Sequence, residues 1–444
     1  MYRKIINDLI EWKESKGRKP LILEGARQVG KTHILRYIFG ANHYNNVAYF
    51  DFYQNDDLKN LFKSTKDPVR IIEQLAIINK ETINKGDTLI IFDEIQECNE
   101  ALNSLKYFYQ DEPDYHIVAA GSLLGITLSN TTFPVGKVNF LKMYPLTFEE
   151  FLLATDNANL VKYLESVNKL EPIPDIFFNR LQELIKTYFV IGGMPEPVLA
   201  WTSNNDISKV TTKQKEIIKA YTSDFSKHTT KTEAERIRHI WNSIPSQLAK
   251  ENKKFLYQVI KGGARAREYE IALNWLNDAG LVYKIYSATA PKLPLKAYED
   301  LSAFKIYLHD VGLLSRLANL DSSIIIKEDE IFTEFKGALT ENYCFSQLVI
   351  KNETLNYFTF GSSGYNYEID ALLQYKNEII PIEIKSGTHK NKNSINAYTE
   401  KYNPKLRVRI SSNNLKLDGN LLNVPIFMVD YLEKLIDTAL EELK

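Results

Sequence analysis

A phosphate-binding loop near the N-terminus constrains this sequence more than any other feature. Residues 20–32 read PLILEGARQVGKT, in which a short apolar run leads into Gly25-x-x-x-x-Gly30-Lys31-Thr32. Glycines allow a loop to turn several backbone N–H groups inward, and the helix that follows points its positive N-terminus at the same place. The pattern therefore predicts a polyphosphate site in which Lys31 reaches the β- and γ-phosphates and Thr32 offers its hydroxyl to Mg²⁺.

Every residue of this loop is a candidate for contact with a nucleotide, through its backbone or its side chain. The candidates are Gly25, Ala26, Arg27, Gln28, Val29, Gly30, Lys31 and Thr32. We expect the nucleotide to be ATP and the metal ion to be Mg²⁺.

A second apolar strand delivers two acids to the same edge of the predicted sheet. Residues 88–94 read TLIIFDE, and a buried parallel strand carries its last residues to the edge where phosphates bind. Asp93 is expected to hold the Mg²⁺ ion, and Glu94 to orient and deprotonate the attacking water. Ser122 ends the apolar run 115–122 and is expected to contact the γ-phosphate or that water. The alternative for Ser122 is a serine that satisfies a local turn.

Composition excludes several classes of protein. The 444 residues carry a net charge of −1 and are 44% hydrophobic and 25% charged, which is typical of a globular chain and not of a polybasic one. The two cysteines, Cys98 and Cys344, are too few for a disulfide framework or a Cys-rich zinc site. The charged N-terminus lacks the apolar core of a signal peptide, and no run of about 18 apolar residues is present. We expect a cytoplasmic protein without a membrane span.

Several motifs resemble those of AAA-type ATPases of the additional-catalytic-glutamate class. They are GARQVGKT, TLIIFDEIQE and AAGSLLG, followed by YPLTFEEFL. More narrowly, they resemble one large prokaryotic family that joins such an ATPase to a poorly characterised C-terminal region. The stretch GGMPEP at residues 192–197 is similar to that family as well. The resemblance spans nearly the whole chain, implies ATP binding, and leaves the biological role open.

Residues 147–234 carry apolar residues at helical spacing and are expected to form a helical lid that closes over the nucleotide. Arg180, Arg236 and Arg238 are candidates for an arginine that reaches the γ-phosphate, either within the chain or from a neighbouring copy. The alternative is that each of these arginines is a solvated surface residue.

Residues 235–324 are expected to hold a winged helix and a junction, because the sequence is typical of helix, turn, helix and then a strand after Gly280. A short helix is predicted at 305–317. A local basic cluster surrounds the second helix of the motif: Lys253, Lys254, Lys261, Arg265 and Arg267. Such a cluster can bind nucleic acid through its phosphates. The alternative is a winged helix that serves only as a packing or nucleotide-lid module.

Two acids and a lysine share a strand face near the C-terminus. Residues 379–387 read IIPIEIKSG, and side chains two apart on a strand lie on one face, so Glu383 and Lys385 point the same way. Hairpin pairing with the preceding strand, 368–375, can bring Asp370 beside them. Acids that hold a divalent ion, with a lysine that orients water, are a constellation for phosphodiester cleavage.

This spacing resembles the PD-(D/E)xK nuclease fold, in which Asp370, Glu383 and Lys385 would be catalytic. Glu341, on the preceding helix, matches that fold's helical acid. The resemblance implies that Glu341, Asp370 and Glu383 converge on one metal ion. The sequence departs from the motif because Ile369, not proline, precedes the first acid. The alternatives are an ordinary strand face that alternates Glu with Lys, and a nuclease-like fold that has lost its chemistry.

The sequence as a whole predicts an α/β protein of four segments. They are a P-loop ATPase core at 1–146, a helical lid at 147–234, a winged-helix region and junction at 235–324, and a PD-(D/E)xK nuclease-like domain at 325–444. The predicted function is Mg²⁺-dependent ATP hydrolysis that drives a conformational switch acting on DNA or RNA. The alternative is a signalling or regulatory ATPase whose C-terminal domain binds a protein partner. Assembly into a homo-oligomer is left open.

Overall fold

Two compact units make up the protein. A computed structural model of the chain describes residues 1–122, 124, 136–227, 229–250, 253–321, 333–352, 354–362, 364–386 and 393–444. The N-terminal unit comprises Tyr2–Tyr144 and Asp278–Leu281, and the C-terminal unit comprises Pro145–Asn277 and Val282–Lys444. The segment boundaries predicted at residues 146, 234 and 324 stay predictions.

The N-terminal unit is built on a five-stranded parallel sheet with the order β2-β3-β4-β1-β5. Its strands are β1 (Leu21–Glu24), β2 (Asn46–Asp51), β3 (Thr88–Asp93), β4 (His116–Ala120) and β5 (Asn139–Lys142). All residues of β3 and β4 are buried, which explains their continuous apolar sequences. The predicted strands are therefore confirmed in this half of the chain.

Helices cover this sheet and enclose an aromatic core. They span Ile5–Glu14, Lys31–His33, the π-helical Ile34–Gly40, Ala41–His43, Asp56–Ser64, Pro68–Asn79, the 3₁₀ turn Ile95–Glu97, and Asn99–Asp111. Asn55 and Asp67 cap two of them by accepting hydrogen bonds from backbone N–H groups. Phe52, Phe62 and Phe92 pack edge to face or tilted against one another in the core.

Helices dominate the first half of the C-terminal unit, as the sequence predicts for residues 147–234. They span Phe148–Ala154, Ala158–Ser166, Asp175–Ile191, Pro195–Asn204, Ile207–Asp224, Lys231–Leu248, Tyr257–Ile260, Ala266–Asp278 and Val311–Leu317. Capping boxes at Thr147 and Thr230 fix two of the starting points. No helix of the described residues is long and apolar enough to cross a membrane.

The GGMPEP stretch breaks this helical run for a steric reason. A Cβ atom on Gly193 would lie 2.2 Å from the backbone oxygen of Leu146. The buried Asp310 carboxylate accepts hydrogen bonds from the N–H groups of Gly193, at 2.6 Å, and Leu313, at 2.8 Å. Burial raises the pKa of Asp310 to about 6, against the lowering effect of these backbone donors. The stretch is thus a packing junction within the C-terminal unit.

An eight-stranded mixed sheet forms the other half of this unit, in the order β12-β13-β11-β10-β9-β8-β6-β7. The strands are β6 (Val282–Ala288), β7 (Glu299–Leu308), β8 (Leu355–Ser362), β9 (Tyr365–Tyr375), β10 (Glu378–Ile384), β11 (Arg407–Ser411), β12 (Lys416–Asp418) and β13 (Leu421–Pro425). The remaining helices are Thr333–Lys351, Asn393–Tyr402 and Leu432–Glu442, with 3₁₀ turns at Leu295–Tyr298 and Ile426–Tyr431. Because β6 pairs in parallel with β8, the strands before residue 324 share a sheet with those after it.

The predicted helix at 305–317 is wrong over its first residues. The chain from Glu299 to Leu308 is strand β7, and the helix begins only at Val311, after Asp310 caps it. The last six residues of β7, AFKIYL, are all buried, Lys305 included, so the strand shows no regular alternation of polar and apolar residues. Without that alternation, periodicity does not distinguish a strand from a helix, which is why the prediction failed.

Candidate functional site

Two glycines shape the loop between β1 and the following helix. Gly25 has a φ of 144°, and a Cβ atom there would lie 2.2 Å from the backbone oxygen of Met143. Gly30 has a φ of 99° and stands directly before the helix that begins at Lys31. Both values lie in the left-handed region, which favours glycine. The spacing of the two glycines is therefore a backbone requirement of this loop.

The four residues between the glycines differ in environment. Ala26 and Val29 are buried, and the Val29 carbonyl accepts a hydrogen bond from Arg3 Nη1 at 3.0 Å. Arg27 and Gln28 are half-buried. Gln28 has a φ of 66°, and its buried Oε1 atom has no hydrogen-bond partner among the described residues. Direct contact of these four residues with a nucleotide stays a prediction.

Lys31 is buried inside the loop and faces neutral partners. Its Nζ atom donates to the backbone oxygens of Gly25, at 2.8 Å, and Ala26, at 3.0 Å. Burial lowers the pKa of Lys31 to about 8, although the nearby carboxylates of Glu94 and Asp93 act in the opposite direction. A buried ammonium held by carbonyl oxygens alone lacks a full counter-charge, so this position favours an anion.

Thr32 and Asp93 meet at the predicted metal position. Thr32 Oγ1 donates to Asp93 Oδ2 at 2.6 Å, which joins the end of the loop to the end of β3. Mg²⁺ keeps several waters and takes only one or two protein oxygens, so a hydroxyl and a carboxylate in contact fit this ion. Tyr49, on β2, also donates to Asp93 Oδ2, at 2.9 Å. Sequence reasoning missed Tyr49.

Glu94 and Ser122 are brought together as a pair. Ser122 Oγ lies 3.5 Å from Glu94 Oε2, and Gln96 Nε2 donates to the same carboxylate oxygen. Glu94 has a φ of 50°, an unusual backbone conformation for a residue other than glycine, and such outliers concentrate at functional sites. Gln96 was also missed, because the sequence gives it no motif beyond its place two residues after Glu94. Leu123 and Gly125, which belong to the motif AAGSLLG, lie outside the described residues.

Asp370 and Glu383 lie on neighbouring strands, and Lys385 follows the end of β10. The paired residues of the antiparallel β9–β10 ladder end at Ala371 with Ile382, which are adjacent to Asp370 and Glu383. A shared face for the side chains of Asp370, Glu383 and Lys385 stays a prediction. The Asp370 carboxylate accepts a hydrogen bond from the Ile384 N–H group at 2.7 Å.

Glu383 forms ion pairs with two nearby cationic side chains. Its carboxylate lies 3.1 Å from Arg409 Nε on β11 and 3.4 Å from Lys385 Nζ. Glu383 is buried, whereas the Lys385 side chain is 38% exposed. Gly387, which ends the stretch IIPIEIKSG, lies outside the described residues.

Glu341 is also paired, but with different cations. Lys253 forms a short ion pair with it, Tyr307 donates its hydroxyl to it, and Lys305 Nζ lies 3.6 Å from its Oε1 atom. Burial alone raises the pKa of Glu341, but the two lysines outweigh that effect and hold the pKa below its usual range. Burial and then the Glu341 charge raise the pKa of Asp370.

The predicted convergence of Glu341, Asp370 and Glu383 on one metal ion is not found and needs correction. Within the part of the chain that the structure describes, no group of three or more His, Cys, Asp or Glu side chains could hold a metal ion. The reason is that the carboxylates are turned to separate partners: Glu341 to lysines, Glu383 to Arg409, and Asp370 to a backbone N–H group.

The predicted basic cluster is split by the fold. Lys253 forms an ion pair with Glu341. The other four residues are exposed: Lys254, Lys261 and Arg265, which precede the helix Ala266–Asp278, and Arg267, which lies in its first turn. The predicted order of helix, turn, helix and strand is found. Nucleic-acid contact by these four exposed residues stays a prediction.

The three candidate arginines have surface environments. Arg180 lies 3.2 Å from Glu183, and both side chains are more than half exposed. Arg238 is exposed and Arg236 is half-buried. A role for any of them at a γ-phosphate stays a prediction.

Comparison with known protein families divides the chain into three matched regions. Residues 17–152 match the model of the AAA domain. Residues 182–324 match a domain of unknown function, DUF8612, and residues 336–427 match another, DUF4143. The AAA match contains all the nucleotide-site residues described above, and it supports a general ATP-binding function for the N-terminal unit.

Two archaeal proteins of Methanocaldococcus jannaschii are similar in sequence. The uncharacterized protein MJ1637 is 27% identical over 196 residues, which cover 41% of this chain and 39% of that protein. The uncharacterized protein MJ1544 is 24% identical over 453 residues, covering 97% of this chain and 87% of that protein. This chain therefore spans well under two thirds of the first relative and most of the second.

Two solved structures are similar over part of the chain. The Walker-type ATPase PabY2304 of Pyrococcus abyssi has 16% identity and a TM-score of 0.44, with 71% of this chain and 95% of that chain covered. A RuvB variant of Thermotoga maritima has 14% identity and a TM-score of 0.28, with 66% of this chain and 91% of that chain covered.

Proposed function

We propose that the N-terminal unit binds ATP together with Mg²⁺ and hydrolyses it. The observation that carries this proposal is the 2.6 Å contact between Thr32 and Asp93, which joins a phosphate-binding loop to an acid at a strand end. The match of residues 17–152 to the AAA domain supports the same function. When bound, Mg²⁺ would be held by these two oxygens and would offset the charge of the phosphates.

The residues around this contact have distinct roles in the proposed reaction. Lys31 exchanges its two carbonyl partners for oxygens of the β- and γ-phosphates, because a charged acceptor is the stronger partner. Glu94 accepts the proton of the attacking water. Gln96 and Ser122 hold the Glu94 carboxylate in position, since both contact its Oε2 atom.

A single substitution tests the division between binding and hydrolysis. Glu94→Gln retains the shape of the side chain but removes its basicity, so ATP should still bind while turnover falls about 10²- to 10⁴-fold. Nucleotide titration and phosphate release measure the two effects separately. Glu73→Gln is the matched control, because Glu73 is exposed on the helix Pro68–Asn79 and should leave both unchanged.

Two results would each contradict a different part of the proposal. Ordinary turnover in Glu94→Gln would remove Glu94 from the mechanism and leave nucleotide binding intact. Absence of ATP binding by the unsubstituted protein in the presence of Mg²⁺ would reject the function of the whole site.

We further propose that ATP hydrolysis drives a conformational switch with a nucleic acid as partner. The supporting observation is the exposure of Lys261, Arg265 and Arg267 around one helix–helix turn. If phosphates bind there, affinity for DNA or RNA should fall steeply with salt, and charge reversal at these three positions should flatten the slope. Charge reversal at three exposed lysines of the helix Ile207–Asp224 is the matched control: Lys209, Lys215 and Lys219.

The same experiment separates this proposal from its alternative. If the unsubstituted protein binds neither DNA nor RNA at low salt, and neither raises ATP turnover, the chain is a regulatory ATPase whose C-terminal half binds a protein. Cleavage of nucleic acid is not proposed, because the described acids of the C-terminal sheet do not form a metal-binding group.

A further inference from the structure

The most deeply buried lysine described in the C-terminal unit lies beside Glu368 and beside Glu341, one of the three acids predicted to hold a metal ion. Lys305, on β7, has a side chain that is 1% exposed. Its Nζ atom lies 2.7 Å from Glu368 Oε1 and 3.6 Å from Glu341 Oε1. A buried ammonium is tolerated only where carboxylates or other acceptors compensate its charge. Both lysine contacts are therefore ion pairs that the fold requires.

The elements that meet at Lys305 are distant in sequence. Glu341 belongs to the helix Thr333–Lys351, and Glu368 and Asp370 belong to β9. Tyr307, two residues after Lys305 on the same strand face, donates to Glu341 as well. The Lys305 amine thus links β7 to the helix Thr333–Lys351 and to β9. In the sheet, β6 and β8 lie between β7 and β9.

The buried lysines compensate the negative charge of the carboxylates, a role that a divalent ion has in other carboxylate clusters. Neighbouring carboxylates repel one another unless a cation lies between them. Lys305 and Lys253 supply two positive charges close to Glu341, so the acids are compensated from within the chain.

Glu341, Glu368 and Asp370 form the C-terminal acid cluster. We propose that Lys305 takes the place of a metal ion in this cluster, and that the cluster is a metal-independent junction. The basis of the proposal is that Glu341, which the nuclease-like motif assigns to a metal ion, is paired with Lys253 and Lys305 instead. A consequence is that β6 and β7 are integral to the C-terminal sheet, and residues 325–444 alone lack the cation of their own acid cluster.

The test uses the full-length chain with Asp93→Asn as background, so that the nucleotide site does not bind divalent ions. Mn²⁺ at millimolar concentration should leave the thermal midpoint of this protein unchanged. Adding Lys305→Ala should lower the midpoint by about 5–10 °C, because it leaves buried carboxylates without their cation. Methylammonium, which can occupy the space of the lost amine, should recover part of that shift, and tetramethylammonium should not.

Lys284→Ala is the matched control, because Lys284 lies on the neighbouring strand β6 and its amine contacts Asn274 outside the cluster. It should change the midpoint by no more than about 2 °C. If Lys305→Ala does not fold, the variant Lys305→Gln with Glu368→Gln replaces the ion pair by a neutral pair and should fold.

Two outcomes would overturn the proposal. One is a rise in the midpoint with Mn²⁺ while Lys305 is intact, since a metal ion would then bind beside the lysine. The other is a Lys305→Ala protein as stable as the Lys284→Ala control, because the buried amine would then not hold the acids together.

Discussion

The nucleotide loop and the C-terminal acid cluster each bury a lysine, and the two lysines have opposite partners. Lys31 contacts two neutral backbone oxygens, whereas Lys305 contacts the carboxylates of Glu368 and Glu341. Burial lowers the pKa of Lys31 to about 8. Burial acts in the same direction on Lys305, but the surrounding carboxylates outweigh it and raise the pKa of that lysine.

The difference indicates what each lysine is for. A cation whose partners are neutral carries an uncompensated charge, and the next anion that arrives can provide the compensation. A cation between two carboxylates is already compensated, and a further ligand would have to displace one of them. The first arrangement suits a binding site and the second suits a structural junction, although both consist of a lysine near acids.

The largest expected effect comes from removing Lys31, whose hydrogen-bond partners are neutral. Lys31→Ala should weaken binding of the triphosphate about 100-fold, because charge-assisted contacts to two phosphates are lost. The same substitution should leave the thermal midpoint of the nucleotide-free protein unchanged or raise it, since no carboxylate loses its partner. Titration calorimetry and thermal unfolding measure the two quantities. A midpoint that falls as far as in Lys305→Ala would show that the two lysines are equivalent after all.

The next effect tests whether the loop's backbone shape is as important as its charge. In Gly25→Ala the new Cβ atom would lie 2.2 Å from the Met143 oxygen, so either the loop or the backbone at Met143 must move. Overpacking of this kind costs about 1–3 kcal/mol, and we expect nucleotide affinity to fall about 10- to 100-fold. Gly17→Ala is the control, because nothing lies within 4 Å of a Cβ atom there. Equal affinity in both variants would mean that the loop tolerates displacement.

These two sites also differ in how far the sequence predicts them. The loop motif fixes its own geometry, because Gly25, Gly30 and Lys31 are close in sequence and their backbone conformations follow from residue type. Asp93 could be placed because parallel strands end at one edge. Tyr49 could not, since its contact with Asp93 depends on which strands are neighbours and on the side chain's direction.

The acid cluster was predictable only in part. The pairing of β9 with β10, which the sequence predicts as a hairpin, places Asp370 and Glu383 on neighbouring strands. Lys305 could not be found in the same way, because the end of β7 from Lys305 onward was predicted as a helix and β7 lies beyond β6 and β8 in the sheet. Local spacing therefore identified acids on one hairpin but not the cations that the rest of the sheet brings to them.

A smaller expected effect is a pH dependence of triphosphate binding that arises from Lys31. With a pKa of about 8 in the nucleotide-free loop, Lys31 is charged below that pH and loses its proton above it. Bound phosphate requires the charged form, so the dissociation constant for the triphosphate should be flat below pH 8 and rise up to about tenfold per unit above it. Titrations between about pH 7 and 9.5 measure the slope. Lys31→Arg, which stays charged throughout, should show no such rise, and a rise in both proteins would assign the slope to another group.

The smallest effect concerns the hydroxyl that completes the acid cluster. Tyr307 donates to Glu341, and its ring stacks on Phe345 with a centroid distance of 4.2 Å. Tyr307→Phe keeps the stacked ring and removes one hydrogen bond to a buried carboxylate, so the free energy of unfolding should fall by about 1–3 kcal/mol. Tyr365→Phe is the control, because Tyr365 is 69% exposed and should change stability by less than about 0.5 kcal/mol. Nucleotide affinity should be equal in both variants. If Tyr307→Phe were as stable as the control, the Glu341 charge would be compensated by Lys253 and Lys305 alone, and the junction would consist of its ion pairs without the hydroxyl.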